Sequence, residues 1–329
     1  MQKKVQFQLQ TALFSCVFAK KALPLQQNSH KMILIADSGS TKTHWCLMTA
    51  NGHHQEFMTD GINPMMQTEE EIYQSVSDQL LPQLGPQLWA GTMTHIYFYG
   101  AGCTPEKKVL VANALQRIFK QAEPIVASDM LGAARGLLGR QRGIACILGT
   151  GSGSCMYDGE NIEWAVPSLG YILGDEGSAA TLGKRLVGDI LKNQLGEDLK
   201  SAFLNEYNLT QADILDHVYK QPFANRWLAN LARFCYAHLD DSRIYHLVYD
   251  HFDSFVTRNI KQYFDREGAT GDWTNSIRLR VGFVGSIAYY YKDVLRNVMA
   301  AHTYSIAAIQ QDPIEGLIKY HQKDVIPTT

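Results

Sequence analysis

The chain has 329 residues, of which 46% are hydrophobic and 19% charged, and its 30 basic and 32 acidic residues leave a formal charge of -2. A typical domain has roughly 150 residues, so this length predicts about two domains, each able to bury a core. The charge balance argues against a protein that coats nucleic acid. No apolar run reaches the roughly 18 residues of a transmembrane helix, and the composition excludes collagen-like and disordered chains.

The first 31 residues differ from the rest of the chain. Two lysines precede a weak apolar stretch over residues 12–19, an order that resembles a signal peptide. Glutamines flank that stretch, however, and no small-residue cleavage site follows it. We therefore predict that residues 1–31 are a disordered extension or precede the true start at Met32.

Cysteine usage indicates a reducing environment. None of the six cysteines forms a CxxC pair, and none stands at zinc-finger spacing from histidine. We predict reduced, mostly buried thiols in a cytoplasmic protein. The six are Cys16, Cys46, Cys103, Cys146, Cys155 and Cys235.

The first half of the chain is predicted to begin with three strands. Residues 32–36 are continuously apolar, residues 44–48 and 55–59 follow, and Asn51-Gly52 is a strong hairpin signal. Helices and strands then alternate. We predict a helix over 69–81, a strand over 96–99, a helix over 105–120, a strand over 124–127, and a helix that opens at Ser128-Asp129.

The second half repeats this order. Residues 143–148 are an apolar strand that runs into a glycine-hydroxyl loop, and strands over 155–157 and 162–166 follow around an Asp158-Gly159 turn. A mainly helical segment over 181–264 follows, and residues 244–264 in it carry one apolar stripe that predicts a single long helix. We then predict a strand over 277–284, a helix to about 300 and a closing helix over 302–317. The predicted domains are 32–141 and 142–300, followed by a closing segment over 301–329.

The loop after the first strand, DSGSTKT, is suited to binding phosphate. Glycine lets the backbone turn tightly and approach an anion. Thr41 and Thr43 add hydroxyl donors, and Asp37 is placed to hold a hydrated Mg²⁺ through its water shell. An ordinary hairpin is the alternative, but hairpins rarely need this pattern.

Two further loops end strands of the second half. GTGSGS over 149–154 lacks the Rossmann spacing and is followed by a strand, and the chain contains no GK[ST] of a Walker A loop. Its position matches that of the first loop, so two clamps could grip one polyphosphate. The third loop, GFVGS over 282–286, suits contact with a nucleotide, and a glycine that serves only packing is the equal alternative.

Together these loops resemble the actin, hexokinase and Hsp70 superfamily of ATP-dependent phosphotransferases, over roughly residues 32–320. Within it the chain resembles the N-acetylglucosamine kinase branch, grouped with the BadF/BadG ATPase family. Gly61-Ile62-Asn63-Pro64 is similar to the sugar-contacting turn, and GYILGDEGSA over 170–179 is similar to the segment that lines the sugar pocket. The resemblance implies an α/β fold of two RNase H-like domains, each with a mixed five-stranded sheet, and a helical insertion in the second.

The resemblance also implies residue roles. Asp129 stands where these kinases have their general base, although read alone it is a helix N-cap. The ATP-binding residues implied are Gly39, Ser40, Thr41, Lys42, Thr43, Thr150, Gly151, Ser152, Gly285 and Ser286. The sugar-binding residues implied are Asn63, Gly170, Asp175 and Glu176, where a turn role for Asn63 and helix capping for Asp175 and Glu176 are the alternatives.

The expected function is ATP- and Mg²⁺-dependent phosphorylation of an amino sugar. N-acetylglucosamine, converted to its 6-phosphate, is the leading substrate, and glucosamine and N-acetylmuramic acid are close rivals. The alternative is a nucleotide-gated ATPase activator or sensor without sugar kinase activity. We expect small-molecule partners only, with neither nucleic acid nor membrane. A homodimer is compatible with the sequence, which does not determine the oligomeric state.

Overall fold

The computed structural model describes residues 31–39, 41–85, 92–269 and 279–325. Lys31–Thr329 form one compact unit. The predicted extension over 1–31 therefore lies, apart from Lys31, outside the described residues, and so does Ser40. The predicted boundaries at 141 and 300 stay predictions.

The first sheet has the order β3-β2-β1-β4-β5. Residues 32–36 are buried without alternation, as expected for a strand covered on both faces. The first three strands are antiparallel neighbours, and β4 and β5 add parallel to β1, so the predicted meander is confirmed. The strands are β1 (Lys31–Ser38), β2 (Lys42–Thr49), β3 (His54–Asp60), β4 (Thr92–Gly100) and β5 (Glu123–Ser128).

The second sheet has the equivalent order β8-β7-β6-β9-β10. Again an antiparallel meander is extended by parallel strands on the other side of its first strand. The predicted repetition of architecture and the predicted α/β fold class are thereby confirmed. The strands are β6 (Gly143–Leu148), β7 (Ser152–Tyr157), β8 (Ile162–Val166), β9 (Val281–Val284) and β10 (Ile306–Gln310).

One helix lies against both sheets. The helices of the first half are α1 (Glu69–Gln79), α2 (Leu81–Leu84), α3 (Lys108–Ile118) and α4 (Asp129–Leu138). Helix α4 contacts β4 and β5 of the first sheet and β6, β7, β9 and β10 of the second. Its glycines permit this, because a Cβ on Gly132 would lie 2.6 Å from Tyr99 Cβ, and one on Gly136 would lie 2.7 Å from Pro313 Cβ.

The helical insertion follows β8 and is confirmed. Its helices are α5 (Gly170–Leu173), α6 (Ala179–Leu191), α7 (Glu197–Tyr207), α8 (Gln211–Tyr219), α9 (Ala224–Ala237), α10 (Ser242–Phe255) and α11 (Lys261–Ala269). The predicted apolar stripe over 244–264 is buried, but it does not lie on one regular helix. A π-helical turn, Val256–Ile260, separates α10 from α11.

The closing segment corrects the sequence analysis. The helix predicted over 302–317 is wrong, because Ile306–Gln310 form β10, parallel to β9. Four small or branched apolar residues in a row fit a strand as well as a helix, and pairing with β9 decides between them. The remaining helices are α12 (Ser286–Tyr290), α13 (Lys292–Ala301) and α14 (Ile314–Val325).

Five cysteines lie within the described residues, and all five are buried and free, as predicted. Burial raises the pKa of the Cys103 thiol to about 12, so it is protonated at neutral pH. In the part of the chain that the structure describes, no helix is long and apolar enough to cross a membrane.

Candidate active site

The first phosphate loop is a tight connection between β1 and β2. The Gly39 N–H donates to the Lys42 carbonyl at 3.0 Å and closes the turn. Gly39, Thr41 and Lys42 are exposed, so they are open to a ligand. Thr43 is not, because its side chain is fully buried and its hydroxyl donates to the Asp60 carbonyl at 3.0 Å. The hydroxyl of Thr43 therefore supports the loop from inside.

Ser38 has a role that the sequence analysis missed. Its fully buried hydroxyl lies 2.7 Å from Thr43 Oγ1 and accepts from the Ile62 N–H at 3.0 Å. Ile62 directly precedes Asn63. Ser38 thus joins the predicted phosphate loop to the predicted sugar-contacting turn.

Three carboxylates lie at the ends of β1, β5 and β10, and two of them act on the third. Burial and, to a smaller extent, the negative charges of Asp129 and Asp312 raise the pKa of Asp37 to about 7, while Lys42 opposes them. Burial also raises the pKa of Asp129. Asp312 was not predicted as a site residue. It follows β10, lies 3.9 Å from His44 Nδ1, and accepts from the Ile314 N–H at the start of α14.

Asp129 is the first residue of α4 and not its N-cap. The cap is Ser128, whose hydroxyl accepts from the Leu131 N–H at 3.3 Å. The Asp129 carboxylate accepts from the Met130 N–H at 2.9 Å and is partly buried. The alternative in which Asp129 serves only as the helix cap is therefore wrong.

Asp129 lines a cavity of about 480 Å³ together with the loop after β4, which includes Gly102, Cys103 and Thr104. Asn63 borders the same loop, because a Cβ added to Gly102 would overlap the Asn63 side chain. The Asn63 Oδ1 accepts from the Met65 N–H at 3.0 Å. Asn63, a predicted sugar-binding residue, thus contacts a loop that lines the cavity beside the predicted base.

The second phosphate loop is held by the start of α6. The Ala179 N–H donates to the Gly149 carbonyl at 2.8 Å, and the Ala180 N–H donates to the Thr150 carbonyl at 3.1 Å. The Ser152 hydroxyl donates to the Glu176 carbonyl at 2.7 Å and so serves the loop's own structure. The Thr150 hydroxyl has no hydrogen-bond partner within the described residues, so it is open to a ligand.

The third loop lies directly against the second. Gly285 has φ +118°, and a Cβ added there would lie 2.7 Å from the Leu148 carbonyl carbon and 3.2 Å from the Gly149 nitrogen. Only glycine fits this conformation and this approach. The next residue, Ser286, is exposed and begins α12.

The GDEG segment joins the predicted sugar and phosphate residues. Asp175 adopts φ +58°, and its carboxylate accepts from the backbone N–H groups of Gly170 and Ser152. Asp175 Oδ2 would lie 3.0 Å from a Cβ on Gly151, so it lines the second loop. Glu176 instead forms an ion pair with Arg258 of the π-helical turn. The capping alternative is wrong for both, since Ser178 caps α6.

Helix α4 brings these parts together. A Cβ on Gly153, at the end of the second loop, would lie 2.9 Å from Met130 Cε, one residue beyond Asp129. The negative charge of Asp129 acts on Asp37, at the start of the first loop. Helix α4 thus carries the predicted base close to residues of both predicted phosphate loops.

The chain is similar to proteins named as amino-sugar kinases. A solved structure from Porphyromonas gingivalis, provisionally named an N-acetylglucosamine kinase, is 45% identical with a TM-score of 0.82, and the match covers 89% of this chain and 99% of that one. A curated relative from Clostridium acetobutylicum, an N-acetylmuramic acid/N-acetylglucosamine kinase, is 26% identical over 212 residues, or 62% of this chain and 69% of that protein.

A more distant solved structure supports the similarity of fold alone. A structure from Chromobacterium violaceum, also provisionally named an N-acetylglucosamine kinase, is 19% identical with a TM-score of 0.66, covering 89% of this chain and 99% of that one. No family model matches the chain.

Proposed function

The chain belongs to the N-acetylglucosamine kinase-like family of the actin-like ATPase fold, and from this premise we propose that it phosphorylates an amino sugar with ATP. We propose N-acetylglucosamine as the substrate and its 6-phosphate as the product. N-acetylglucosamine occurs in the names of both relatives, whereas N-acetylmuramic acid occurs in one.

The position of Asp129 is the observation that carries this proposal. A kinase must hold an acceptor hydroxyl in line with the γ-phosphate and remove its proton. Asp129 lines a cavity of about 480 Å³ that is large enough for a hexose derivative. Its neighbour Met130 lies close to Gly153 of the second phosphate loop, and its own charge acts on Asp37 before the first. The raised pKa of Asp129 makes its carboxylate a stronger base.

The reaction then follows from these residues. Asn63 and the loop after β4 orient the sugar, and Asp129 accepts the proton of its 6-hydroxyl. The hydroxyl oxygen bonds to the γ-phosphorus, the bond to the β-phosphate oxygen breaks, and ADP leaves. The backbone of the two glycine loops and the Thr150 hydroxyl hold the phosphates.

The donor set also fits a hydrated Mg²⁺. Burial and the negative charges of Asp129 and Asp312 raise the pKa of Asp37, and a bound cation would offset that repulsion. Within the described ranges no group of three metal-ligating side chains is preassembled, so Asp37 would hold the ion through its water shell. When bound, the ion neutralises charge on the transferring phosphoryl group.

A panel of N-acetylglucosamine, glucosamine and N-acetylmuramic acid in a coupled ADP assay tests the proposal, with the sugar phosphate identified by mass spectrometry. We expect sugar-dependent ADP release, one sugar phosphate per ADP, and the highest kcat/KM with N-acetylglucosamine. Asp129→Asn should lower kcat by roughly 10²–10⁴-fold with ATP affinity little changed. ADP release that no sugar stimulates would instead support the nucleotide-gated ATPase.

A further inference from the structure

A second cavity of about 480 Å³ lies in the helical insertion, and none of its lining residues borders the cavity beside Asp129. One face of α6 forms its floor, and the π-helical turn and the end of α10 form a wall. Gly188 lies on the floor, and a Cβ added there would meet no atom within 4 Å. The cavity is therefore open along the helix.

The lining carries an excess of positive charge. Lys184, Arg185, Lys192 and Arg258 border the cavity, against Glu176 and Asp189. Four cations and two carboxylates leave a surplus of two positive charges. His251 also borders it, and burial lowers its pKa to about 4, so it is neutral at neutral pH.

The cations keep donors that no carboxylate uses. Lys184 donates to the Tyr171 carbonyl at 2.6 Å, which occupies one of the three ammonium donors. No salt bridge involves Lys192 among the described residues. Arg185 and Arg258 are the exceptions: Arg185 pairs with Asp250 at 3.1 Å and is 3.9 Å from Asp189, and Arg258 pairs with Glu176 through its Nε.

The wall contains two uncommon features. Arg258 lies in the π-helical turn, a conformation that often occurs at functional sites, and its Nε pairs with Glu176. Glu176 follows Asp175, which binds the second phosphate loop. The cavity thus borders the GDEG segment through Gly174 and Glu176.

We propose that this cavity binds a phosphomonoester dianion, either a sugar phosphate or free inorganic phosphate. Lys184, Lys192 and Arg258 supply charge-assisted donors to the phosphate oxygens, and the volume accommodates a phosphorylated hexose. Identification of the ligand as the product sugar phosphate rests on the proposed function, whereas binding of phosphate itself does not.

Isothermal titration calorimetry with inorganic phosphate on the full chain tests the proposal. Lys192→Glu reverses one lining charge, and Gly188→Glu places a carboxylate on the open floor. Lys220→Glu makes the same charge change at an exposed lysine of another helix and is the matched control. We expect each cavity variant to weaken phosphate binding by about tenfold or more, with Lys220→Glu like the wild type. Sugar kinase turnover should be unchanged in Lys192→Glu.

Three results would overturn the site: no phosphate binding by the wild type at millimolar concentration, unchanged binding in both cavity variants, or loss of binding when a non-hydrolysable ATP analogue saturates the protein. The last would place the phosphate in the nucleotide site.

A second titration uses N-acetylglucosamine 6-phosphate, with uncharged N-acetylglucosamine for comparison. Tighter binding than inorganic phosphate identifies a sugar phosphate ligand, and equal binding identifies free phosphate. Because the first titration needs no turnover, it remains decisive even if the chain phosphorylates no sugar.

Discussion

Replacement of Gly285 by alanine is the sharpest structural test of the predicted nucleotide site. The residue has φ +118° and ψ 161°, a region that is essentially restricted to glycine, at a cost of about 1–3 kcal/mol for other residues. The new Cβ would also lie 2.7 Å from the Leu148 carbonyl carbon, which is backbone of β6 and cannot rotate away. Overpacking of this kind costs about 1–3 kcal/mol more.

These two penalties together lower the free energy of unfolding by about 2–6 kcal/mol. At roughly 2–4 °C per kcal/mol, we expect a decrease in Tm of about 4–24 °C. Gly52→Ala is the matched control, because Gly52 has φ +83° but a Cβ there meets no atom within 4 Å. In Gly52→Ala the free energy of unfolding should decrease only by the cost of the backbone conformation, about 1–2 kcal/mol.

The functional consequence is displacement of the second phosphate loop. Leu148 and Gly149 must move to accept the methyl group, and Gly149 accepts from the Ala179 N–H at the start of α6. Binding of a non-hydrolysable ATP analogue, measured at 15 °C where the variant remains folded, should weaken by about tenfold or more, whereas Gly52→Ala should bind normally. Equal Tm and equal nucleotide affinity in the two variants would refute the close contact and the role of Gly285.

Three further substitutions test individual groups. Thr150→Val keeps the side-chain shape but removes a hydroxyl that has no protein partner. The Kd for ATP should therefore rise by a factor that corresponds to about 1.5–3 kcal/mol, with Tm unchanged. Unchanged ATP affinity would show that this hydroxyl does not contact the nucleotide. Asp175→Ala should raise the KM for both sugar and ATP in steady-state assays, because the carboxylate binds Gly170 and Ser152 at once, and an effect on neither substrate would contradict that bridge. Asp37→Asn should stabilise the ligand-free protein at pH 8 but not at pH 4. The pKa of Asp37 is raised from 3.8 to about 7, so between about pH 4 and 7 the folded protein retains a proton that the unfolded chain has released. The wild type therefore loses stability over this range, up to about 4 kcal/mol in total, and the loss is complete above pH 7. Thermal melts at both pH values measure this difference, and an equal effect at the two would show that Asp37 titrates normally.

The parts of the fold with strong local signals were predictable from the sequence. Residues 32–36 are continuously apolar and Asn51-Gly52 specifies a turn, so the first meander follows without tertiary information. Strand β10 cannot be predicted in this way, because its four apolar residues fit the periodicity of a helix as well as that of a strand. Only pairing with β9 selects the strand. The π-helical turn likewise cannot be predicted, because it does not interrupt the spacing of apolar residues in the sequence.

The site shows the same division. Loop residues of the DSGSTKT type are recognisable by composition, but whether a hydroxyl faces a ligand or the interior depends on packing. Thr43 and Ser38 therefore belong to the support of the loop, while Thr41 and Thr150 remain open. Asp129 and Ser128 are adjacent, and only the hydrogen bond from Leu131 distinguishes the cap from the residue that is free to act as a base.

Asp312 explains why a site of this kind cannot be completed from local motifs. In sequence it is an ordinary helix-starting aspartate, and nothing nearby indicates phosphate or sugar chemistry. Its charge reaches Asp37 because β10 ends at the edge of the second sheet where α14 crosses to pack against β1 and β2 of the first. The last strand and helix therefore connect the two sheets by a second route, besides α4. Asp37 senses charges that arrive by both routes, Asp129 at the start of α4 and Asp312 before α14, so any change in how the sheets meet should change its pKa.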